Sequence, residues 1–342
     1  MVKAEAYGLG VGPVVDALGG APQTLRPWAF GVASVREGEA LRVHGWEGRV
    51  LVFTPLAPGE EAAAAEASLT PALCSVEAVR RWSAEGRRRG RTLPFHLEVD
   101  TGMGRAGLPW HAVAEWAGPV IEAGGESACW EGCFTHYHSA DEHDLAPTTR
   151  QRQRFESALE ALPGSLRRQL IVHSSNSAAA MRCGAFGDDL ARPGIFLYGG
   201  GVGGAIRPSP VVAVRARLVR VVAVDAGATV GYGATHAARG PERWGTLAIG
   251  YGDGIPRALA PGGGEVLVRG RRVPIIGRIS MDMITVDLTA VVGAEPGDVA
   301  TLLGSDGDEE IVVDEVAARA GTISYEILTG LTARLPRLYA VE

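Results

Sequence analysis

The sequence predicts an α/β protein in two parts, and two features of its texture carry the prediction. Over roughly the first 200 residues, short apolar strands alternate with stretches whose apolar residues recur every three or four positions. After about residue 205 the helical period fades, and β-rich runs divided by glycine turns take over. We therefore expect a (β/α) domain over residues 1–205 and an all-β domain over 206–342, joined in the glycine- and proline-rich stretch GGVGGAIRPSP.

In the first part RVLVFTP, PFHLEVDTG, CWEGCFTHY, QLIVHSS and GIFLYGG are predicted strands, each running into polar or glycine-rich residues. ASVREGEAL, SVEAVRRWSAEG, WHAVAEWAG and TRQRQRFESALEAL between them have helical spacing. Strand, loop and helix in repetition mean parallel strands with crossover helices. A closed (β/α) barrel and an open doubly wound sheet both fit. No strand–helix turn carries G-x-G-x-x-G, which weighs against the dinucleotide-binding version. In the second part VVAVRARLVRVVAVDAGATVGYG, RWGTLAIGYGDG, GEVLVRGRRVPIIGR, MDMITVDL, DVATLLG and EEIVVDEV are the β-rich runs, and DEVAARAGTISYEILTGL supplies the helical stretches.

Hydrophobic residues at 46% and charged residues at 21% suit a soluble globular chain. No apolar run reaches the roughly eighteen residues that cross a bilayer, and MVKAEAYGLG lacks the apolar core of a signal peptide. The expected location is cytoplasmic, with no membrane partner. A net charge of −6 with mixed signs offers no basic face to nucleic acid. The run Arg87, Arg88, Arg89 reads as a solvated helix end before a strand. Cys74, Cys129, Cys133 and Cys183 show no C-x-x-C spacing and read as free thiols.

Lys3 is the only lysine in the chain. A mobile terminal residue in an arginine-biased sequence is one reading. The other is chemical: guanidinium stays protonated and forms no imine with an aldehyde, so a chain that keeps one amine can be keeping a nucleophile. In HLEVDTGMGRAG a strand carrying Glu98 and Asp100 opens into a glycine turn with Arg105. His136 follows a strand end, where barrel enzymes place catalytic side chains. His138 and His143 are loop histidines or metal ligands. In LIVHSSNSAAAMR the apolar run stops at His173, and Ser174 to Ser177 precede a helix. That arrangement serves as an ordinary N-cap or as an anion seat. Arg192 stands just before Gly194 and Ile195, and GYGATH, IGYGDGIPR and GRISMDMITVDL put Tyr232, Tyr251 and Asp253 at turns.

Taken together, VKAEAYGLG, DTGMGRAG, THYHSAD, HSSNSAAAMR, RPGIFLYG, YGATH, GYGDGIPR, GRISMDM and TISYEILTGLTARLPRLY resemble alanine racemase, a fold-type III family that uses pyridoxal 5'-phosphate (PLP). The resemblance runs from residue 2 to residue 339. It implies a PLP-binding (β/α)8 barrel followed by a β-domain, assembled as a homodimer whose active sites are completed across the interface. Lys3 becomes the expected Schiff-base lysine. The phosphate contacts fall on Tyr7, Ser177, Gly194, Ile195 and Tyr325, and His136 sits near the cofactor ring. Arg192, helped by His173, faces the pyridine nitrogen. Arg105 contacts the cofactor's phenolic oxygen and the substrate carboxylate. Tyr232 is the second base and comes from the other subunit, as does the Met281 main chain that meets the carboxylate. Tyr251 narrows the entrance, and Glu98 and Asp282 are supporting residues. The implied reaction interconverts L- and D-alanine through an external aldimine, Lys3 serving the D isomer and Tyr232 the L isomer. Its product, D-alanine, is a peptidoglycan precursor. A PLP racemase of broader amino-acid range and an inactive fold-type III homologue are the alternatives.

Three departures from the family pattern set further expectations. About thirty residues that normally precede the lysine, including the first barrel strand, are not in this sequence, so the barrel is expected to lack that strand, with an upstream start suspected. That would leave two sheet edges unpaired and Lys3 on an untethered terminus. Glu98 replaces a position often held by a carboxylated lysine and is expected to pair with Arg105. Glu5 stands where asparagine is usual, and a carboxylate near phosphate is unfavourable unless it turns away.

Overall fold

The computed structural model describes residues 1–340, which divide into two compact units. The first comprises Met1–Ala6, Val11–Phe196 and Val202–Arg207; the second comprises Tyr7–Gly10, Leu197–Gly201 and the chain from Pro208 on. Thus two short segments that the sequence assigned to the (β/α) part, Tyr7–Gly10 and Leu197–Gly201, pack with the β-rich part. Tyr7 links them to it, with its ring centroid 4.6 Å from that of Tyr198 and 5.9 Å from that of Tyr325.

The first unit is a parallel sheet of β1 (Ala29–Val32), β2 (Arg49–Val52), β3 (Thr70–Leu73), β4 (Leu93–Asp100), β5 (Leu108–Pro109), β6 (Ala128–Phe134) and β7 (Ile171–His173). The order is β1-β2-β3-β4-β6-β7, with β5 beside β4, and every pairing is parallel. β2 and β3 are buried on both faces almost throughout, as parallel strands covered by crossover helices must be. Helices start where serine caps them. Ser34 Oγ accepts from the Glu37 N–H ahead of Val35–Val43, and Ser75 Oγ accepts from Ala78 ahead of Val76–Arg89. The arginine run ends that second helix at Gly90, whose φ of 65° gives the left-handed cap. Phe30, Trp82, Phe95, Leu97 and Phe155 fill the core.

Two expectations are corrected here. GIFLYGG is not a strand: Ile195–Tyr198 is a single 3-10 turn. The N–H groups of Gly194 and Phe196 bond to the Ser177 hydroxyl at 2.7 and 3.4 Å, in place of a neighbouring strand. Nor is Lys3 untethered. Val2 donates to Gly31 O on β1 at 2.8 Å, and the Met1 nitrogen donates to Pro193 O at 2.9 Å. Residues 189–192 in turn pair with the end of β7, Asp189 bonding to Val172 and Arg192 to Ser175. Main-chain hydrogen bonds therefore continue from β7 to β1, and Met1 and Val2 supply the last link.

The second unit contains β8 (Val214–Val224), β9 (Thr229–Val230), β10 (His236–Ala237), β11 (Glu242–Leu247), β12 (Glu265–Val268), β13 (Arg271–Ile276), β14 (Ile284–Asp287), β15 (Val299–Asp306) and β16 (Glu309–Ile311). Its main sheet runs β12-β13-β14-β11-β8-β15-β16, and β12 also pairs with β15. That extra pairing closes six antiparallel strands into a barrel, which removes exposed edges. Alternation buries Leu218, Leu247, Val266, Val268, Ile284 and Val286 inside. The β12–β13 hairpin turns through Arg269 and Gly270, both with positive φ, the conformation that matches strand twist in a two-residue turn. The helices Val313–Ala320 and Ser324–Gly330 follow the last strand.

Candidate active site

Lys3 begins a turn that is left-handed. Ala4, Glu5 and Ala6 have φ near 52° and ψ near 50°, and Tyr7 continues with φ 57°. Such a conformation costs roughly 1–2 kcal/mol per L-residue, so other contacts must hold it. Ala6 N–H returns to Val2 O at 2.9 Å. Glu37 accepts from Ala4 N–H at 2.8 Å and from Ala33 N–H at 2.6 Å. Glu5 turns outward and accepts from Val11 N–H at 3.3 Å, at the start of the helix Val11–Gly19. A carboxylate is favoured at that end of a helix, so the conflict expected of Glu5 is relieved by its orientation.

Although the Lys3 side chain as a whole is exposed, its amine is easier to deprotonate than usual. Desolvation lowers its pKa most, Arg105 lowers it further, and Glu37 opposes both. Arg105 also acts on His136, at the end of β6. Burial, then Arg192, Arg105 and Lys3, pushes the His136 imidazole down to about 3, so it is neutral at physiological pH. Arg192 is held by four acceptors: His173 Nδ1 at 2.8 Å, Thr135 O at 2.8 Å, Ser174 O at 3.0 Å and His136 Nδ1 at 3.3 Å. Burial lowers even this guanidinium to about 10, and it remains protonated. Phe134 stacks on His173, with centroids 4.9 Å apart.

Glu98 on β4 is buried, and its expected partnership with Arg105 needs correction. Among the described residues Glu98 forms no ion pair. Burial raises its carboxyl pKa, and Arg105 followed by Arg192 pulls it back. Arg105 acts on it through its charge, with no ion pair between the two. Gly107 passes so close that a Cβ there would come 3.1 Å from Glu98 Cγ. Beyond β7, Asn176 caps the helix Ser177–Arg182 through Ala179 N–H. The Ser177 hydroxyl, bonded to Gly194 N–H, gathers Ser177, Gly194 and Ile195 into one group.

In the second unit Tyr7, Tyr198 and Tyr325 form an aromatic cluster, Tyr7 lying 5.9 Å from Tyr325. Burial raises the Tyr7 hydroxyl pKa most, and Tyr325 adds to it. Tyr251 and Met281 are brought together by their turns. Tyr251 N–H donates to Ser280 O at 3.0 Å, and Gly252 N–H donates to Met281 O at 2.9 Å. Arg334 braces this region by pairing with Asp253 at 3.1 Å and with Asp282 at 2.8 Å. Tyr232 stands apart on the β9–β10 turn, 70% exposed, and Met281 is 51% exposed. Sequence reasoning missed Glu37, Tyr198, Gln151 and Arg334. Ser34 and Glu37 have the S-x-x-E spacing of a capping box, which was the available signal for Glu37. Gln151, buried, ties Thr101 Oγ1 to His136 O at 3.2 and 3.1 Å.

These groups fit PLP. The amine has a depressed pKa, the donor-only guanidinium is locked in place, and a hydroxyl and main-chain N–H lie together at Ser177 and Gly194. Comparison with known proteins agrees. Residues 1–201 match the family described as Alanine racemase, N-terminal domain, and residues 211–339 match Alanine racemase, C-terminal domain. The alanine racemase of Symbiobacterium thermophilum is 38% identical over 346 residues, covering 100% of this chain and 90% of that protein. The crystal structure of alanine racemase from E. faecalis superposes with a TM-score of 0.88 at 31% identity, covering 99% of this chain and 90% of that one. The Bartonella henselae alanine racemase, solved with covalently bound pyridoxal phosphate, gives a TM-score of 0.87 at 29% identity, covering 99% and 91%.

Proposed function

The chain belongs to the alanine racemase family and is a PLP-dependent enzyme; from that premise we propose that Lys3 and Tyr232 are the two bases that interconvert L- and D-alanine. The observation that carries this reading is the only lysine of the sequence, on a strained and tethered turn, with its amine pKa depressed beside Arg105.

PLP, when bound, supplies an electron sink for the charge left at the substrate Cα. The protein supplies the rest. Lys3 is the attachment point and, as a free amine, exchanges a proton with the D face. Arg105 attracts the substrate carboxylate. His136, neutral at working pH, would lie beside the cofactor without adding a charge. Arg192, protonated and anchored by His173, would hold the pyridine nitrogen as a donor that does not readily give up its proton. Ser177, Gly194, Ile195, Tyr7 and Tyr325 are the residues that would receive the phosphate. Racemisation needs a base on each face. Tyr232, 70% exposed in a single copy, serves the L face as Tyr232 of the partner subunit. Met281 crosses in the same way, while Tyr251 lines the entrance and Asp282 steadies it through Arg334. The protein is thus a homodimer on this reading, working in the cytoplasm to provide D-alanine for peptidoglycan.

The test uses the lone lysine. The chain is incubated with PLP, reduced with borohydride and digested, and the adduct is located by peptide fragmentation. An adduct on Lys3 together with racemisation of alanine is the expected result. An adduct confined to the terminal amine, or faster turnover of serine, lysine or arginine than alanine, overturns the assignment.

A further inference from the structure

A buried polar line leads away from Arg192, and the proposed reaction uses only its beginning. His173 on β7 accepts from Arg192 through Nδ1 at 2.8 Å. Its Nε2 lies 2.7 Å from Nδ1 of His96 on β4. His96 Nε2 lies 3.3 Å from Oε2 of Glu131 on β6, whose Oε1 accepts from Arg49 on β2 at 2.7 Å. The Arg49 guanidinium covers the Trp28 ring at 4.6 Å. Both imidazoles are 1% exposed. Gly132 makes room for His96, since a Cβ there would come 2.4 Å from its Nδ1.

The ends of this line fix every proton between them. Arginine only donates and a carboxylate only accepts. His173 Nδ1 must therefore be bare, which puts the His173 proton on Nε2. That proton is donated to His96 Nδ1, which must also be bare, so the His96 proton sits on Nε2 and is donated to Glu131. A proton on His96 Nδ1 would face the N–H of His173 and break the contact. Each ring is thus neutral and confined to one tautomer. Burial and the charge of Arg192, which hold the His173 pKa well below its ordinary value, agree with this assignment.

We propose that Glu131 is a positioning residue for Arg192: by accepting from His96 it selects the tautomers of His96 and His173 that keep an acceptor in front of the Arg192 guanidinium. The proposal deepens the reading above, in which Arg192 faces the cofactor. Without Glu131 the His96 Nε2–H has no acceptor in this line, and the opposite tautomer becomes competitive. That tautomer turns a donor toward His173 and frees Arg192 from its best-placed imidazole partner. A glutamine retains an acceptor oxygen, whereas a methionine does not.

The experiment has two readouts. Long-range proton–nitrogen spectra of the histidine-labelled chain without PLP report the tautomers directly, with His96→Gln and His173→Gln used only to assign signals. Wild type and Glu131→Gln are expected to show both rings as neutral Nε2–H tautomers, and Glu131→Met to lose that pattern at both. With PLP, Glu131→Met is expected to lower kcat about tenfold with little change in the alanine KM, while Glu131→Gln retains most of it. An imidazolium or an Nδ1–H tautomer at either ring of the wild type overturns the proposal even if the methionine variant does not fold. Equal losses in the two variants, or an unchanged tautomer pattern in Glu131→Met, overturn it as well. Failure of the racemase assignment itself is separate: it shows as absent racemisation in the wild type while the tautomer measurement stands.

Discussion

The Glu37 carboxylate accepts from the main-chain N–H of Ala4 at 2.8 Å with one oxygen and from that of Ala33 at 2.6 Å with the other. One side chain thereby ties the residue after Lys3 to the end of β1. It also contributes the only attraction among the three influences on the Lys3 amine. Glu37→Ala is expected to cost about 1 kcal/mol for each lost acceptor and to lower kcat by at least about tenfold through a looser Lys3. Thermal melting and alanine racemisation measured on the same preparation check both. A full-rate variant would remove Glu37 from the positioning of Lys3.

After desolvation, Arg105 is the largest influence on Lys3, and it acts to depress the amine. Replacing Arg105 with Met should therefore raise the Lys3 pKa toward its ordinary 10.5. Because the sequence has one lysine, reductive methylation with labelled formaldehyde yields one lysine signal beside that of the terminal amine, and its pH titration is followed separately. The expected shift is alkaline. A shift in the acid direction contradicts the electrostatic account.

For Glu98 the sign follows from burial. Its folded carboxyl pKa is raised above the ordinary 4.5, with Arg105 and Arg192 as opposing influences. An acid of this kind stabilises the fold fully below its unfolded pKa and loses that contribution as pH rises through the folded value. Glu98→Gln stays neutral throughout, so without PLP it should melt no lower than wild type at pH 7 to 8, and the difference should narrow toward pH 4. With PLP, loss of the anion near Arg105 should raise the alanine KM. Unchanged kinetics would leave Glu98 with no functional part.

Tyr232→Phe separates the two faces. On the proposed assignment it removes the base for L-alanine and slows racemisation by about 10²–10⁴-fold, while Lys3 still exchanges the D-alanine Cα proton with solvent. Proton exchange of each enantiomer in deuterium oxide, followed by NMR, gives the answer. Equal loss of exchange from both enantiomers would contradict the division of labour.

Much of this protein was legible along the chain because its signals are local. Hydrophobic period separated the (β/α) part from the β-rich part, and serine caps and Gly90 marked helix ends that neighbouring residues set by themselves. The identity of Lys3 needed no fold, since one amine among so many guanidiniums is a property of composition. GIFLYGG was misread because an apolar run has the same appearance whether it joins a ladder or winds into a turn. A hydroxyl seventeen residues earlier, on Ser177, decided the matter. Tertiary structure alone determined the partners of charged and ring nitrogen atoms: Glu37 on Ala4, Glu98 without an ion pair among the described residues, and the ordered protons from Arg192 to Glu131. Hydrogen bonds and ion pairs depend on ångström-scale distance and direction between residues far apart in sequence. Residue type states what each group can donate or accept, and only folding determines which groups meet.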